Sequence, residues 1–318
     1  MTVVVFCHLP QQEDTFHLQY LASVILSSFF FVSGYLKKPL PSLKEAFRKY
    51  SYSLLIPYLI YNVLYYPYWL VKFYIENGGV VTFRDCMKPI IGTCLGQLDS
   101  SFSCELNGVT WFLITLFLMQ LITDICNRLK HGKIMMLIIS VISIVLYGAN
   151  KYYHYAPYLT YHGLVRCICF FFMGNLFRQM DLLKRISTTK DFLIGISTLL
   201  LSFIIFYWHI HEDRFVLHII LYYVVNLFSV YGFIYLFRAI NNIKSRIVTS
   251  ISIGTLIIFG LHRIFTGIID FGLEKTFCLS NITYDWYEGI LITICIILVF
   301  LPFIHYAQKH FPVLLGKK

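Results

Sequence analysis

Long unbroken apolar runs, not short alternating ones, set the pattern of this chain. They lie near residues 1–9, 18–36, 50–75, 109–126, 134–149, 158–177, 191–210, 215–237, 248–269 and 287–308. Crossing the hydrocarbon core takes ~20 apolar residues in a helix, and lipid admits only helices or closed barrels because every backbone polar group must be satisfied internally. These runs are far longer than the ~10-residue alternating strands of a barrel. The pattern therefore predicts an all-α fold, a polytopic transmembrane bundle of about ten helices, with residues 1–318 forming a single integral-membrane domain. The first run is short: seven residues precede His8, about two helical turns at ~1.5 Å per residue, so the first helix is expected to be truncated. Pro57 and Pro67 predict a kink or split in the third run. The longest connection, 76–108, carries Gly78, Gly79, Pro89, Gly92, Gly96 and Gly108; a connection of that length often covers a functional site.

Composition excludes an ordinary soluble protein. Hydrophobic residues make up 58% and charged residues 13% of the chain, too few charges to clothe a water-facing surface. The net charge of +10 invites a nucleic-acid reading, but its distribution argues against one. Eighteen of the 26 Lys and Arg fall in alternate loops (Lys37 to Lys49, Arg128 to Lys133, Arg178 to Lys190, Arg238 to Arg246, Lys309 to Lys318), against six in the opposite loops. The positive-inside rule then makes the C-terminus cytoplasmic, and no nucleic-acid partner is expected. The nine cysteines form no CxxC pair and no Cys/His spacing of a zinc site, so no metal is expected. Cys86, Cys94 and Cys104 share the long connection and have the option of pairing if it faces an oxidising compartment, though bland packing is the commoner role.

Ionisable groups at membrane depth are expensive and mark functional sites or interhelical hydrogen bonds in comparable measure. His8 lies in the first run, His162 and Arg166 one turn apart in the sixth, and His262 beside Arg263 in the ninth. Three histidines and two arginines in an otherwise uncharged core point to a polar cavity.

The residues around them resemble a known family. His8 in Val-Val-Val-Phe-Cys-His, then Ser28-Phe-Phe-Phe-Val-Ser-Gly-Tyr-Leu36, a basic loop leading into Leu54-Leu-Ile-Pro-Tyr58, Trp111-Phe-Leu113, Phe170-Phe-Phe-Met-Gly174 after Arg166, and Leu261-His262 follow in order. This set resembles membrane acyltransferase family 3, most closely its sugar O-acetyltransferases of the fucose 4-O-acetylase type. Two departures stand out. Nothing basic precedes His8 by a helix length, and the basic loop runs Arg48-Lys-Tyr-Ser-Tyr-Ser-Leu54 where the family commonly has a second arginine.

The resemblance implies transfer of an acetyl group from acetyl-CoA to a sugar hydroxyl of an envelope glycan or a lipid-linked sugar, in a bacterial inner membrane. It maps the family's first-helix histidine onto His8, as general base or acyl carrier. Arg166, and secondarily Arg263, suit an oxyanion or a phosphate; His262 joins them as a catalytic candidate and His162 as a substrate-binding one. Lys37, Lys38, Arg48 and Lys49 suit the phosphates of an acyl-CoA, although ordinary positive-inside residues need no such role. Trp111 belongs to the pattern, but a Trp at a helix entrance is also a common interfacial anchor; Glu105 is either a sugar contact or a solvated loop acid. Ser33 and Gly34 read as small residues that let helices approach closely. Asn281-Ile-Thr283 matches a glycosylation acceptor. A glycan transporter or flippase, or an inactive acyltransferase-like assembly partner, remains the alternative. Against transport stands the lack of an inverted repeat with broken helices.

Overall fold

A computed structural model gives the arrangement of residues 2–10, 16–96, 106–155, 158–181, 187–240, 245–277 and 282–317. Thirteen α-helices run in chain order among these described residues. They are α1 (Thr2–Phe6), α2 (Phe16–Leu36), α3 (Leu43–Tyr50), α4 (Ile56–Glu76), α5 (Phe83–Leu95), α6 (Trp111–Arg128) and α7 (Gly132–Tyr152). The rest are α8 (Leu159–Gln179), α9 (Thr188–Ile210), α10 (Phe215–Ala239), α11 (Arg246–Ile253), α12 (Thr255–Phe277) and α13 (Trp286–His310). Among the described residues, eight helical segments are long and apolar enough to cross a membrane. Their outward faces are apolar, with Val63, Leu137, Leu193, Val216 and Leu291 each at least 59% exposed, as helices solvated by lipid require.

All ten predicted runs are helical, but three boundaries differ for identifiable reasons. The first run holds only the five-residue α1. The run at 248–269 breaks at Gly254 into α11 and α12, and α12 continues to Phe277. The connection at 76–108 contains α5, started by a reciprocal capping box between Thr82 and Asp85 and stopped by Gly96 in the left-handed conformation (φ 72°). The Asp85 carboxyl is held below its usual range by the Thr82 hydroxyl and amide that it accepts from.

The expected break before Pro57 takes a specific form. Ser51–Leu55 is a π-helical turn joining α3 to α4, and the Ile56 amide reaches back five residues to the Ser51 carbonyl. Pro57, which has no N–H to give to a helical ladder, follows this wider turn directly. Pro67 lies within α4, which continues through it.

The α2–α8 contact organises the interior. Gly34 lies against the backbone of Phe171, and Gly174 against the backbone of Phe31. Each glycine thus meets the phenylalanine stretch of the other helix, and a Cβ at either would collide with main chain. The two motifs Phe29-Phe-Phe-Val-Ser-Gly34 and Phe170-Phe-Phe-Met-Gly174 are one reciprocal crossing, the small-residue packing expected for Gly34. Phe30, Phe31, Phe171 and Phe172 are at most 1% exposed there.

A side chain at Gly34 or Gly174 must push main chain apart. Gly34→Val and Gly174→Val are expected to cost at least ~1–3 kcal/mol, the usual range for overpacking. Thermal unfolding of the purified protein in detergent measures this, and an unchanged transition would show that the helices do not depend on this approach.

Candidate functional site

The structure sorts the sequence-predicted residues into separate places. His8 follows α1, whose Val5 and nearby Leu9 are buried at 0% and 4% exposure, anchoring this stretch in the core. The Tyr284 amide donates to the Pro10 carbonyl at 2.8 Å, and the Tyr284 hydroxyl donates to Asp270 of α12 at 2.6 Å. These contacts tie the His8 segment to α12 and to the start of α13. His8 itself is exposed, whereas His262 of α12 is fully buried at 0%. Their rings meet edge to face, centroids 5.3 Å apart and planes at 78°.

Both imidazoles are held in the same tautomer. His8 Nδ1 bonds the Val4 carbonyl oxygen at 2.7 Å, and His262 Nδ1 bonds those of Ile258 and Phe259 at 3.0 Å each. A carbonyl only accepts, so Nδ1 is the protonated nitrogen and Nε2 of each neutral ring presents a lone pair. His262 Nε2 is buried without a hydrogen-bond partner. The Arg263 side chain is exposed, and its charge acts on both rings.

A polar seam continues from His262 through residues that the sequence reading did not single out. Asn107, 0% exposed, donates from Nδ2 to the Gly260 carbonyl at 2.9 Å. Asn62 of α4 donates to the Thr110 hydroxyl at 2.9 Å, which donates in turn to the Asn107 carbonyl at 2.8 Å. The Oδ1 atoms of both asparagines are buried without a partner. Together with His262 Nε2, they make three buried acceptors around the entry to α6, each lacking a donor. Asn62, an asparagine inside an apolar run, was the available signal; Asn107 lies in the 76–108 connection, which carries no such mark.

His162 and Arg166 are elsewhere. They face Tyr147 of α7, with the His162 and Tyr147 rings 5.7 Å apart, and Tyr222 of α10, whose hydroxyl accepts from Arg166 Nε at 2.5 Å. Arg263, not Arg166, is the guanidinium beside the two histidines. Trp111 stands between the two groups: its indole lies on Gly163, where no side chain would fit. Its neighbour Phe112 packs on Phe259 of α12, with centroids 5.3 Å apart. Trp111 thus serves as an interior spacer, half-buried. Glu105, Cys104 and Asn281 lie outside the described residues. Cys86 and Cys94 are free thiols on α5, eight residues and so about 12 Å apart along its axis.

The cation-rich end corrects one expectation. Lys37 does not offer its charge to a CoA phosphate: its Nζ is 2.7 Å from Asp124 Oδ1, with both side chains 1% exposed. It also donates to the Tyr50 hydroxyl at 2.8 Å, and that hydroxyl donates to Asp124 Oδ2 at 2.7 Å. Burial pulls the Lys37 ammonium below its usual range while Asp124 holds it up. Arg178 of α8 closes over the group by donating to the Lys37 carbonyl at 2.5 Å. Arg48 and Lys49 remain exposed on α3. Asp124 went unremarked in the sequence reading, although an acid deep in an apolar run was its visible mark.

With the geometry in place, comparison with known proteins decides the family. The sequence model described as "Acyltransferase domain" for acyltransferase family 3 matches residues 1–307. The chain belongs to acyltransferase family 3. No curated protein and no solved structure matches it. Family membership together with the membrane-spanning helices makes the protein a membrane acyltransferase.

Removing one partner of a buried ion pair strands the other charge, at a cost of ~3–5 kcal/mol. Lys37→Met and Asp124→Leu should each lower the detergent unfolding transition sharply, and the double variant should recover most of the loss. A double variant as unstable as the sum of the singles would show that the pair is not the coupled unit described.

Proposed function

We propose that the protein transfers an acetyl group from acetyl-CoA to a hydroxyl of an envelope glycan or its lipid-linked sugar precursor, with His8 as the catalytic base. The observation that carries this reading is the His8 imidazole. Its Nδ1 is engaged by the Val4 carbonyl, its Nε2 lone pair is available, and its ring is exposed beside a buried second histidine.

A sugar hydroxyl is a weak nucleophile, and a neutral imidazole titrates close enough to pH 7 to take its proton during attack. The hydroxyl oxygen bonds to the thioester carbonyl carbon as His8 Nε2 accepts the hydroxyl proton. When the C–S bond breaks, the imidazolium returns that proton to the leaving sulfur, giving CoA thiol and the sugar ester. The oxyanion formed between these steps lies within the field of Arg263, which acts on the same ring. In the covalent variant, Nε2 itself attacks the thioester and passes the acetyl on.

The three donor-less acceptors of the adjacent seam favour a hydroxyl-rich acceptor. A buried acceptor left unpaired costs ~1–3 kcal/mol, and sugar hydroxyls supply donors. Exposed Arg48 and Lys49 at the opposite, cation-rich end suit the CoA phosphates. His162 takes no part at His8 in this reading.

Purified protein in nanodiscs, given labelled acetyl-CoA and an envelope glycan extract, should release CoA thiol and label the glycan. His8→Ala should lower both by ~10²–10⁴-fold, the usual yield of general base catalysis, while leaving the unfolding transition in place. Mass spectrometry of quenched protein distinguishes the covalent route by an acetyl on His8. Full activity in His8→Ala would overturn the assignment.

A further inference from the structure

Arg166 is a half-buried guanidinium in the second turn of α8. Its described bonds are one Nε contact to the Tyr222 hydroxyl and a position over the Tyr222 ring, 5.0 Å from the centroid. Among the described residues no carboxylate pairs with it, so the terminal Nη groups have no acidic partner. The surroundings add positive charge: Lys151 at the end of α7 and Arg166 both act on His162 and on His209. A cation at membrane depth is ordinarily paired with an acid; this one bonds a tyrosine hydroxyl and shares its surroundings with a second cation.

A second observation is independent of the charge. Asn150, one turn beyond Tyr147 on the same face of α7, is 9% exposed, and its Nδ2 is buried without an acceptor. An unpaired cation and an orphaned donor on neighbouring helices call for the same thing, a ligand rich in acceptor oxygens. Guanidinium recognition of phosphate through paired N–H groups is the strong form of that interaction.

We propose that the Arg166 cluster between α7, α8 and α10 is a phosphate subsite, distinct from the His8–His262 site and serving a phosphate-bearing substrate of the acyl transfer. The proposal rests on the acyl-transfer reading for its purpose, but not for its binding chemistry. Two sources carry such phosphates: the diphosphate of a lipid-linked sugar and the CoA donor. Geometry favours the first. Arg178, which closes the cation-rich end, lies twelve residues along α8 from Arg166, about 18 Å at ~1.5 Å per residue. A donor held by its phosphates at Arg48 and Lys49 is therefore anchored at the other end of α8.

The test is equilibrium binding to the full chain in nanodiscs, with polyprenyl diphosphate, CoA and unphosphorylated polyprenol as probes. Polyprenyl diphosphate should bind and polyprenol should not. Arg166→Gln should weaken the diphosphate affinity by about tenfold or more, the loss expected for a charged hydrogen-bond partner. Lys151→Ala, at an exposed position, should weaken it by about two- to fivefold and stands in if Arg166→Gln does not fold. His8→Ala should bind as the parent does, so failure of the catalytic reading would leave this result intact. A selective loss of CoA affinity in the same variants would support the phosphate subsite with the donor as its source. Unchanged affinity for both phosphates, or polyprenol binding as tightly as its diphosphate, would overturn the proposal.

Discussion

The reciprocal approach of α2 and α8 is the constraint on which the rest depends. Gly34 and Gly174 bring each helix onto the main chain of the other, so closely that a Cβ at either would collide with it. Once that crossing is set, α8 presents His162, Gly163 and Arg166 at fixed heights above it, and Gly163 seats Trp111 at the entry to α6. The chain leaving α2 then places Lys37 against Asp124 at the far end of α6. Three polar features thus derive their spacing from one apolar contact. Small residues do this work in lipid, where no hydrophobic drive presses helices together and close packing must supply the attraction.

Among the histidines, hydrogen bonding decides chemistry more than depth does. His8 and His262 both spend Nδ1 on carbonyls of their own preceding turn, which leaves Nε2 as the acceptor. His209 and His218 instead spend Nδ1 on each other's carbonyl, at 3.0 Å in both directions, with rings 4.0 Å apart. That mutual arrangement ties α9 to α10 at their connecting end. The same residue type thus closes a hairpin in one place and leaves an exposed lone pair in another.

The helices were legible because spans in lipid must be long and nearly uncharged, a signal that survives without relatives to compare. The Phe-rich glycine motifs were legible as packing for the same reason. α5 was not, since Pro89, Gly92 and two cysteines give it the texture of a loop; its start was written in Thr82-x-x-Asp85, a capping pattern. Asp124 was lost because the loop-by-loop count follows only Lys and Arg, while this acid sits inside a span. The meeting of His8 with His262, and the distance of both from Arg166, are tertiary facts. Periodicity places a residue on a helix but does not say which helix it faces.

The hydrogen-bonding sense of the unsatisfied groups near His262 carries chemical information beyond any single contact. Around His262 the unsatisfied atoms are acceptors: its Nε2 and the Oδ1 atoms of Asn62 and Asn107. Around Arg166 both senses occur: Asn150 Nδ2 is a donor without an acceptor, and Asn226 Oδ1, one turn beyond Tyr222, is an acceptor without a donor. Low dielectric makes each orphan costly, so three acceptors gathered near one imidazole favour a visiting group that brings donors. A hydroxyl-bearing group at the first and a phosphate at the second are the two ends of a glycosyl phosphate. Trp111 stands between them, its indole packed on Gly163 of α8. On this reading the acceptor spans both places, with its reactive hydroxyl at His8 and its charged end held by α8.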